Sequence, residues 1–258
     1  MINQSSLNPE EEADPPAGVG QMAPLSNMAL ALKSVMELQN AGENSPRFGV
    51  LHGPPGYGKT YASSFAQNET GAAYVEFCSI WTVKSFLTEL SREIGIAKPA
   101  RTSPAILAEL IEQLNVFPRP IIIDEADYLV KKQMVDVARD LHDKTPCGIM
   151  LVGMESLPQK LKRWDQFHSR ILTFTPAAPA SAADALMLRD VFCQDVEVAD
   201  DLVEHFRVQT KKNARRIRVN LEEAQRFATA EGMGRIDRAL WGNRRVITGD
   251  PVTRKVPA

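Results

Sequence analysis

Eight consecutive residues constrain this chain more than any others. Gly53-Pro54-Pro55-Gly56-Tyr57-Gly58-Lys59-Thr60 fits the pattern GxxxxGK[ST] at every defined position. Glycines let the backbone curl until successive N–H groups point inward at phosphate oxygens. A short apolar strand at 48–52 precedes the loop, and a helix from Lys59 to about Gln67 follows it, adding the positive end of its dipole. In this pattern Lys59 reaches the β- and γ-phosphates of ATP and the Thr60 hydroxyl ligates Mg²⁺. Tyr61, next on the helix, is counted with the loop as a nucleotide contact.

Ile121-Ile122-Ile123-Asp124-Glu125 supplies a second half. A β-branched apolar run reads as a buried strand of a parallel sheet. Its terminal Asp then stands at the carboxyl edge, where ligands sit in open α/β sheets. Asp124 is expected to hold the Mg²⁺ shell, and Glu125 to orient or deprotonate an attacking water. Asp127 reads as a cap for the following helix.

Strands expected at 48–52, 73–77, 120–123, 147–152 and 171–174 alternate with helices at about 59–67, 82–94, 104–115, 131–143 and 155–163. That alternation implies an α/β fold, a parallel sheet with helices on both faces. Ser26 or Asn27 is expected to cap a helix that precedes the first strand. After Pro176 and Pro179 the strand signal vanishes, and helices run through 182–191, 199–209 and 214–230. The expected organisation is a disordered acidic segment 1–23, a nucleotide-binding core 24–176, a helical lid 177–233 and a basic extended tail 234–258.

Charge is unevenly spread. The net charge is −2, yet from Arg207 onward 13 basic residues face 5 acidic ones, and no Lys or Arg precedes Lys33. A basic carboxyl-terminal surface of this kind can seat an anionic partner. Three widely spaced cysteines read as reduced thiols of a cytoplasmic protein, and the four histidines form no zinc pattern. No apolar run approaches 18 residues, so membrane insertion is not expected.

The strings GPPGYGKT and IIIDEAD resemble the AAA+ ATPases. The resemblance implies a three-layer core with a five-stranded parallel sheet in the order 5-1-4-3-2, and a small carboxyl-terminal helical lid. A narrower likeness runs through CSIWTVKSFLTELSREIG, IIIDEADYL, LHDKT, GIMLVGMESL and QFHSRI. These segments resemble the DNA-transposition ATPases of the MuB, TnsC and TniB group, the target-selection proteins of transposing phages and transposons. That group implies self-association into a filament or ring on double-stranded DNA without sequence preference, and a transposase as client.

By the same resemblance Arg170 lies where an arginine finger enters a neighbouring subunit's site, with Arg163 as a second candidate. Arg215 aligns with the lid arginine that contacts the γ-phosphate, although Arg216 and Arg218 stand close by. The usual polar residue at the end of the fourth strand is missing from Val152-Gly153-Met154-Glu155, which leaves that role unassigned and implies slow hydrolysis. Lys84, Lys131 and Lys132 are expected on the DNA phosphates. Trp81 reads first as core packing. A short amino-terminal segment argues against the DNA-binding appendage that precedes the core in phage Mu type relatives. Two other readings share the core: a helicase-loader or clamp-loader type ATPase, and a nucleotide-gated scaffold with negligible hydrolysis.

Overall fold

The computed structural model describes residues 25–42 and 45–250. The expected disordered segment 1–23 and the end of the expected tail, 251–258, lie outside those residues.

The amino-terminal half holds α1 (Ser26–Gln39), β1 (Phe48–His52), α2 (Lys59–Thr70), β2 (Ala73–Glu76), α3 (Val83–Glu93), α4 (Ser103–Val116) and β3 (Ile121–Asp124). Next come α5 (Ala126–Lys131), α6 (Val135–Lys144), β4 (Ile149–Gly153), α7 (Leu157–Leu161), α8 (Asp165–His168) and β5 (Ile171–Pro176). The five strands form one parallel sheet in the order β2-β3-β4-β1-β5. This is the α/β arrangement expected, with its order read from the opposite edge.

The central strands carry no alternation because both faces are covered. Ile121, Ile122 and Ile123 are fully buried, as are Ile149, Leu151 and Val152. Each such side chain contributes about 1.5–3 kcal/mol relative to exposure. One face packs against α3, α4 and α6 through Phe77, Phe86, Leu110 and Leu141, and the other against α1 and α2 through Val35, Leu38, Ala62 and Ala66. Trp81 packs its ring edge-on against Phe77 at 5.5 Å, as core packing predicts.

A second core belongs to α9 (Ala182–Phe192), α10 (Asp200–Gln209) and α11 (Ala214–Ala230), around Leu188, Phe206, Ile217, Leu221 and Trp241. The sequence pattern hid two short parallel strands here, β6 (Glu197–Val198) and β7 (Arg235–Ile236). β7 leads into α12 (Arg238–Trp241). The expected extended tail is thus folded as far as Asp250. Asn220, fully buried, donates to Ile247 O at 3.0 Å and accepts from Ile247 N at 2.8 Å.

Three local expectations are corrected. The N-cap position of α1 is Leu25, with no side-chain cap, and Ser26 and Asn27 spend their polar groups elsewhere. The helix expected over 131–143 begins only at Val135, and a separate short helix, Ala126–Lys131, precedes it, the two parted where Gln133 takes a left-handed φ of 57°. Asp127 is no cap: its carboxylate accepts from Met154 N at 2.6 Å and pairs with Lys160 Nζ at 2.6 Å, tying the end of β4 to α7.

Beneath the sheet, His142 is buried and stacked on Phe48. Its Nε2 accepts from Arg47 N at 3.2 Å and its Nδ1 faces Asp143 Oδ1 at 2.8 Å. Those partners fix a neutral ring. Burial chiefly lowers its pKa against the pull of Asp143. A folded-state pKa below the ordinary histidine value means stability is whole above about pH 6.5 and is lost as pH falls below it. His142→Gln is expected to flatten that acid-side loss in urea unfolding at pH 7.5 and 5.5. An equally steep loss in the variant would assign the effect to other groups.

Candidate nucleotide site

A cavity of about 400 Å³ opens at the carboxyl edge of the sheet. Gly56, Gly58, Lys59, Thr60 and Tyr61 line it together with Asp124 and Glu125 from the end of β3, and Arg215 from the start of α11. Leu25, Leu188, Phe192 and Ala214 give it apolar walls. Charged groups beside an apolar slot match a nucleotide, whose base is flat and apolar and whose phosphates are anionic.

Local chemistry explains the loop's shape. Gly56 and Gly58 sit at φ 81° and 79°, where a side chain is strained. At Gly56 space is also closed, because an added Cβ would stand 2.4 Å from Asn213 Oδ1. Asn213 donates to Pro55 O at 2.9 Å, and Arg215 N donates to Gly56 O at 3.0 Å. Asn27 donates to Tyr57 O at 2.7 Å and to Ala178 O at 2.9 Å. Ser26 Oγ meets the Asp184 carboxylate at the start of α9. The loop is therefore held from α1 and from α11 at once.

Lys59 Nζ donates to Gly53 O at 2.8 Å and Pro54 O at 2.9 Å. Burial lowers its pKa, opposed by Asp124, Glu125 and Asp127. A partly desolvated cation on neutral carbonyls is poised to exchange them for phosphate oxygens. Asp124 is buried; its Oδ1 accepts from Glu125 N at 2.8 Å and its Oδ2 from Tyr74 Oη at 3.1 Å. Glu125 takes a left-handed φ of 53°, uncommon for a residue with a side chain, at the step from β3 into α5. Burial raises its carboxyl pKa first, then the charges of Asp124, Asp127 and Glu76, while Lys59 lowers it. Among the described residues no group of three or more His, Cys, Asp and Glu could hold a metal ion. Mg²⁺ fits this site through a different donor set, since it usually keeps waters and takes one or two protein oxygens plus phosphates.

The structure brings Pro55, Gly56, Gly58, Lys59, Thr60, Tyr61, Asp124, Glu125 and Arg215 together around the cavity, whereas Gly53 stands outside its lining and meets the site through the bond from Lys59 to its carbonyl. Pro54 and Tyr57 turn to a groove on the loop's outer face, opposite Thr248 and Gly249. Of the three neighbouring arginines, Arg216 lies against Gly249, while Arg218 lines the cavity as Arg215 does but also pairs with Glu222 and stacks on Phe192. Arg215 lines the cavity on the exposed side of its helix.

Arg170 stands at the amino end of β5, the opposite edge of the sheet from the loop. Its guanidinium pairs with Asp143 at 2.6 and 2.7 Å and donates to Gln166 O. It reaches no nucleotide bound to its own chain. Arg163 is exposed and lines a groove bordered by Glu125, Lys131 and Met154. Lys84, in the first turn of α3, and Lys131 and Lys132, at the end of α5, are exposed and away from the cavity. Their helices follow adjacent strands, β2 and β3.

Residues 43–161 match the family described as AAA domain. This region is an AAA-type P-loop ATPase domain. Proteasome-activating nucleotidase 2 of Halobacterium salinarum is 34% identical over 92 residues, 36% of this chain and 20% of that protein. The chain thus matches about a fifth of that relative's length. The ORC2 protein of Aeropyrum pernix, solved in ADPNP–ADP complexes, superposes on this chain with a TM-score of 0.65 at 16% identity, covering 86% of this chain and 68% of that one. Cdc6p from Pyrobaculum aerophilum gives 0.60 at 18% identity, over 86% and 66%. The A. pernix ORC1 protein in complex with DNA gives 0.57 at 15% identity, over 87% and 66%. At these identities the likeness establishes the shared fold.

Among the described residues no helix is long and apolar enough to cross a membrane.

Proposed function

We propose that this chain hydrolyses ATP with Mg²⁺, assembles on duplex DNA in its ATP-bound state and presents that DNA to a transposase. The observation that carries the ATPase reading is one cavity lined by Lys59, Thr60, Asp124, Glu125 and Arg215. Lys59 and the loop amides bind the phosphates. Thr60 and Asp124 are the groups that would hold Mg²⁺, which when bound neutralises phosphate charge. Glu125 orients the attacking water and accepts its proton; its raised pKa makes it a stronger base than a solvated glutamate. Arg215 carries the nucleotide state to the lid, residues 177–233, because its own backbone is bonded to the loop at Gly56.

Arg170, outside the cavity of its own chain, acts on a neighbouring subunit's nucleotide once Asp143 releases it. Self-association then completes each site, and ATP turnover times disassembly. Lys84, Lys131 and Lys132 supply sequence-tolerant phosphate contacts repeated along the assembly. The transposase client is supported by the likeness of 78–95 and of segments within 121–171 to the transposition ATPases. DNA binding is also in keeping with a fold neighbour solved in complex with DNA.

Electron microscopy of the protein with duplex DNA, in ATP, ADP and no nucleotide, tests this reading. Filaments or rings on arbitrary DNA in ATP alone are expected. A species that stays monomeric and ignores DNA in all three states would move the assignment to a loader acting on a protein client.

A further inference from the structure

The Asp124 carboxylate is more than a strand end pointing at solvent. Its two oxygens are separately held, Oδ1 by Glu125 N–H at 2.8 Å and Oδ2 by the Tyr74 hydroxyl at 3.1 Å. The sheet dictates the second bond. β2 and β3 run parallel with Glu76 beside Asp124 and Tyr74 beside Ile122. Tyr74 and Asp124 therefore share one face, two residues apart in register, and a phenol is long enough to span that offset. An aliphatic side chain at 74 would fill the same face and leave Oδ2 free to rotate.

Tyr74 is itself fixed. Its half-buried ring packs on the cluster of α1 and α2 residues. Its backbone N–H donates to Glu93 Oε1 at 3.3 Å, and that same oxygen accepts from Gln67 Nε2 at 2.9 Å. Groups on α2 and α3 thus converge on the strand that presents the hydroxyl. An ordinary core tyrosine would send its hydroxyl to a backbone carbonyl or to water; this one ends on the buried carboxylate at the nucleotide cavity.

We infer that Tyr74 is a positioning residue for the Mg²⁺-holding carboxylate: its hydroxyl fixes the rotamer of Asp124 and so sets the protein's affinity for the metal–nucleotide complex. The inference rests on the reading of Asp124 as a group that holds the metal shell. Partners behind a metal ligand typically carry a 10–100-fold effect on metal affinity, and a single hydroxyl-to-carboxylate hydrogen bond accounts for about the first tenfold of it.

Tyr74→Phe removes the oxygen and keeps the ring. The readout is equilibrium binding of a fluorescent ATP analogue, first in EDTA and then across a Mg²⁺ titration, with Asp124→Asn beside it. In Tyr74→Phe, affinity in EDTA is expected to stay within about twofold of wild type while the half-saturating Mg²⁺ rises about tenfold. Asp124→Asn is expected to raise it at least as much. If Asp124→Asn shifts the Mg²⁺ requirement and Tyr74→Phe does not, the positioning role is wrong and the metal reading survives. If neither shifts it, the metal reading of Asp124 fails and takes the inference with it. A Tyr74→Phe loss of equal size with and without Mg²⁺ overturns the inference in favour of a packing role.

Discussion

Replacing Lys59 by alanine is expected to weaken ATP binding by about 100- to 1000-fold, to the point where turnover vanishes. The ammonium forms charge-assisted bonds with phosphate oxygens, each worth about 1.5–3 kcal/mol where water is largely excluded, and every 1.4 kcal/mol is tenfold. The free protein shows why the loss is large. Lys59 holds the loop's own carbonyls at Gly53 and Pro54, and Asp124, Glu125 and Asp127 surround it with negative charge. Without the lysine those acids would face the phosphates with only the lid arginines opposing them, so repulsion adds to the lost attraction. Fold integrity is not at stake, since the side chain lies at the cavity and outside the three apolar clusters. Titration with a fluorescent nucleotide measures the effect, with a thermal melt as control. Retained micromolar affinity in a folded Lys59→Ala protein would falsify the assignment of the site.

Glu125→Gln should give the opposite separation, with binding kept and turnover lost by about 10²–10⁴-fold. An amide orients water poorly for attack and cannot take its proton. The left-handed backbone at Glu125 is no worse for glutamine than for glutamate, so the variant tests chemistry without adding strain. It also removes one negative charge from a cluster with Glu76, Asp124 and Asp127, which raise the carboxyl's pKa together. Nucleotide affinity is therefore expected to equal or exceed that of wild type. Single-turnover phosphate release beside equilibrium binding separates the two effects. Turnover near wild type would take Glu125 out of the mechanism and leave the base to be sought elsewhere.

Much of this was legible in the chain because the relevant signals are local. The curled loop needs its glycines and Lys59 within eight residues, and a buried parallel strand needs a run such as Ile121–Ile123. Tertiary partners were not legible. Asn27 was read as a helix cap, but its amide clamps Tyr57 and Ala178, and Ala178 lies 151 residues away. Tyr74 meets Asp124 only through a strand register that no single strand encodes. Asn213 does carry a readable sign, an asparagine before a helix start, and it caps α11 through Arg216 N; its second bond, to the loop, depends on where that helix docks. The short strands β6 and β7 escaped because two residues each are too few for any periodicity.

Gly153 sits in an ordinary backbone conformation, so what a side chain would disturb there is its neighbours. A Cβ there would stand 2.4 Å from Asp127 Oδ2 and 2.7 Å from Leu157 Cδ2. Any side chain at 153 and the carboxylate at 127 compete for one volume. Positions 127 and 153 are therefore a single unit of sequence change. A side chain gained at 153 would turn the carboxylate at 127 aside and loosen its hold on Met154 N and Lys160, the tie between the end of β4 and α7.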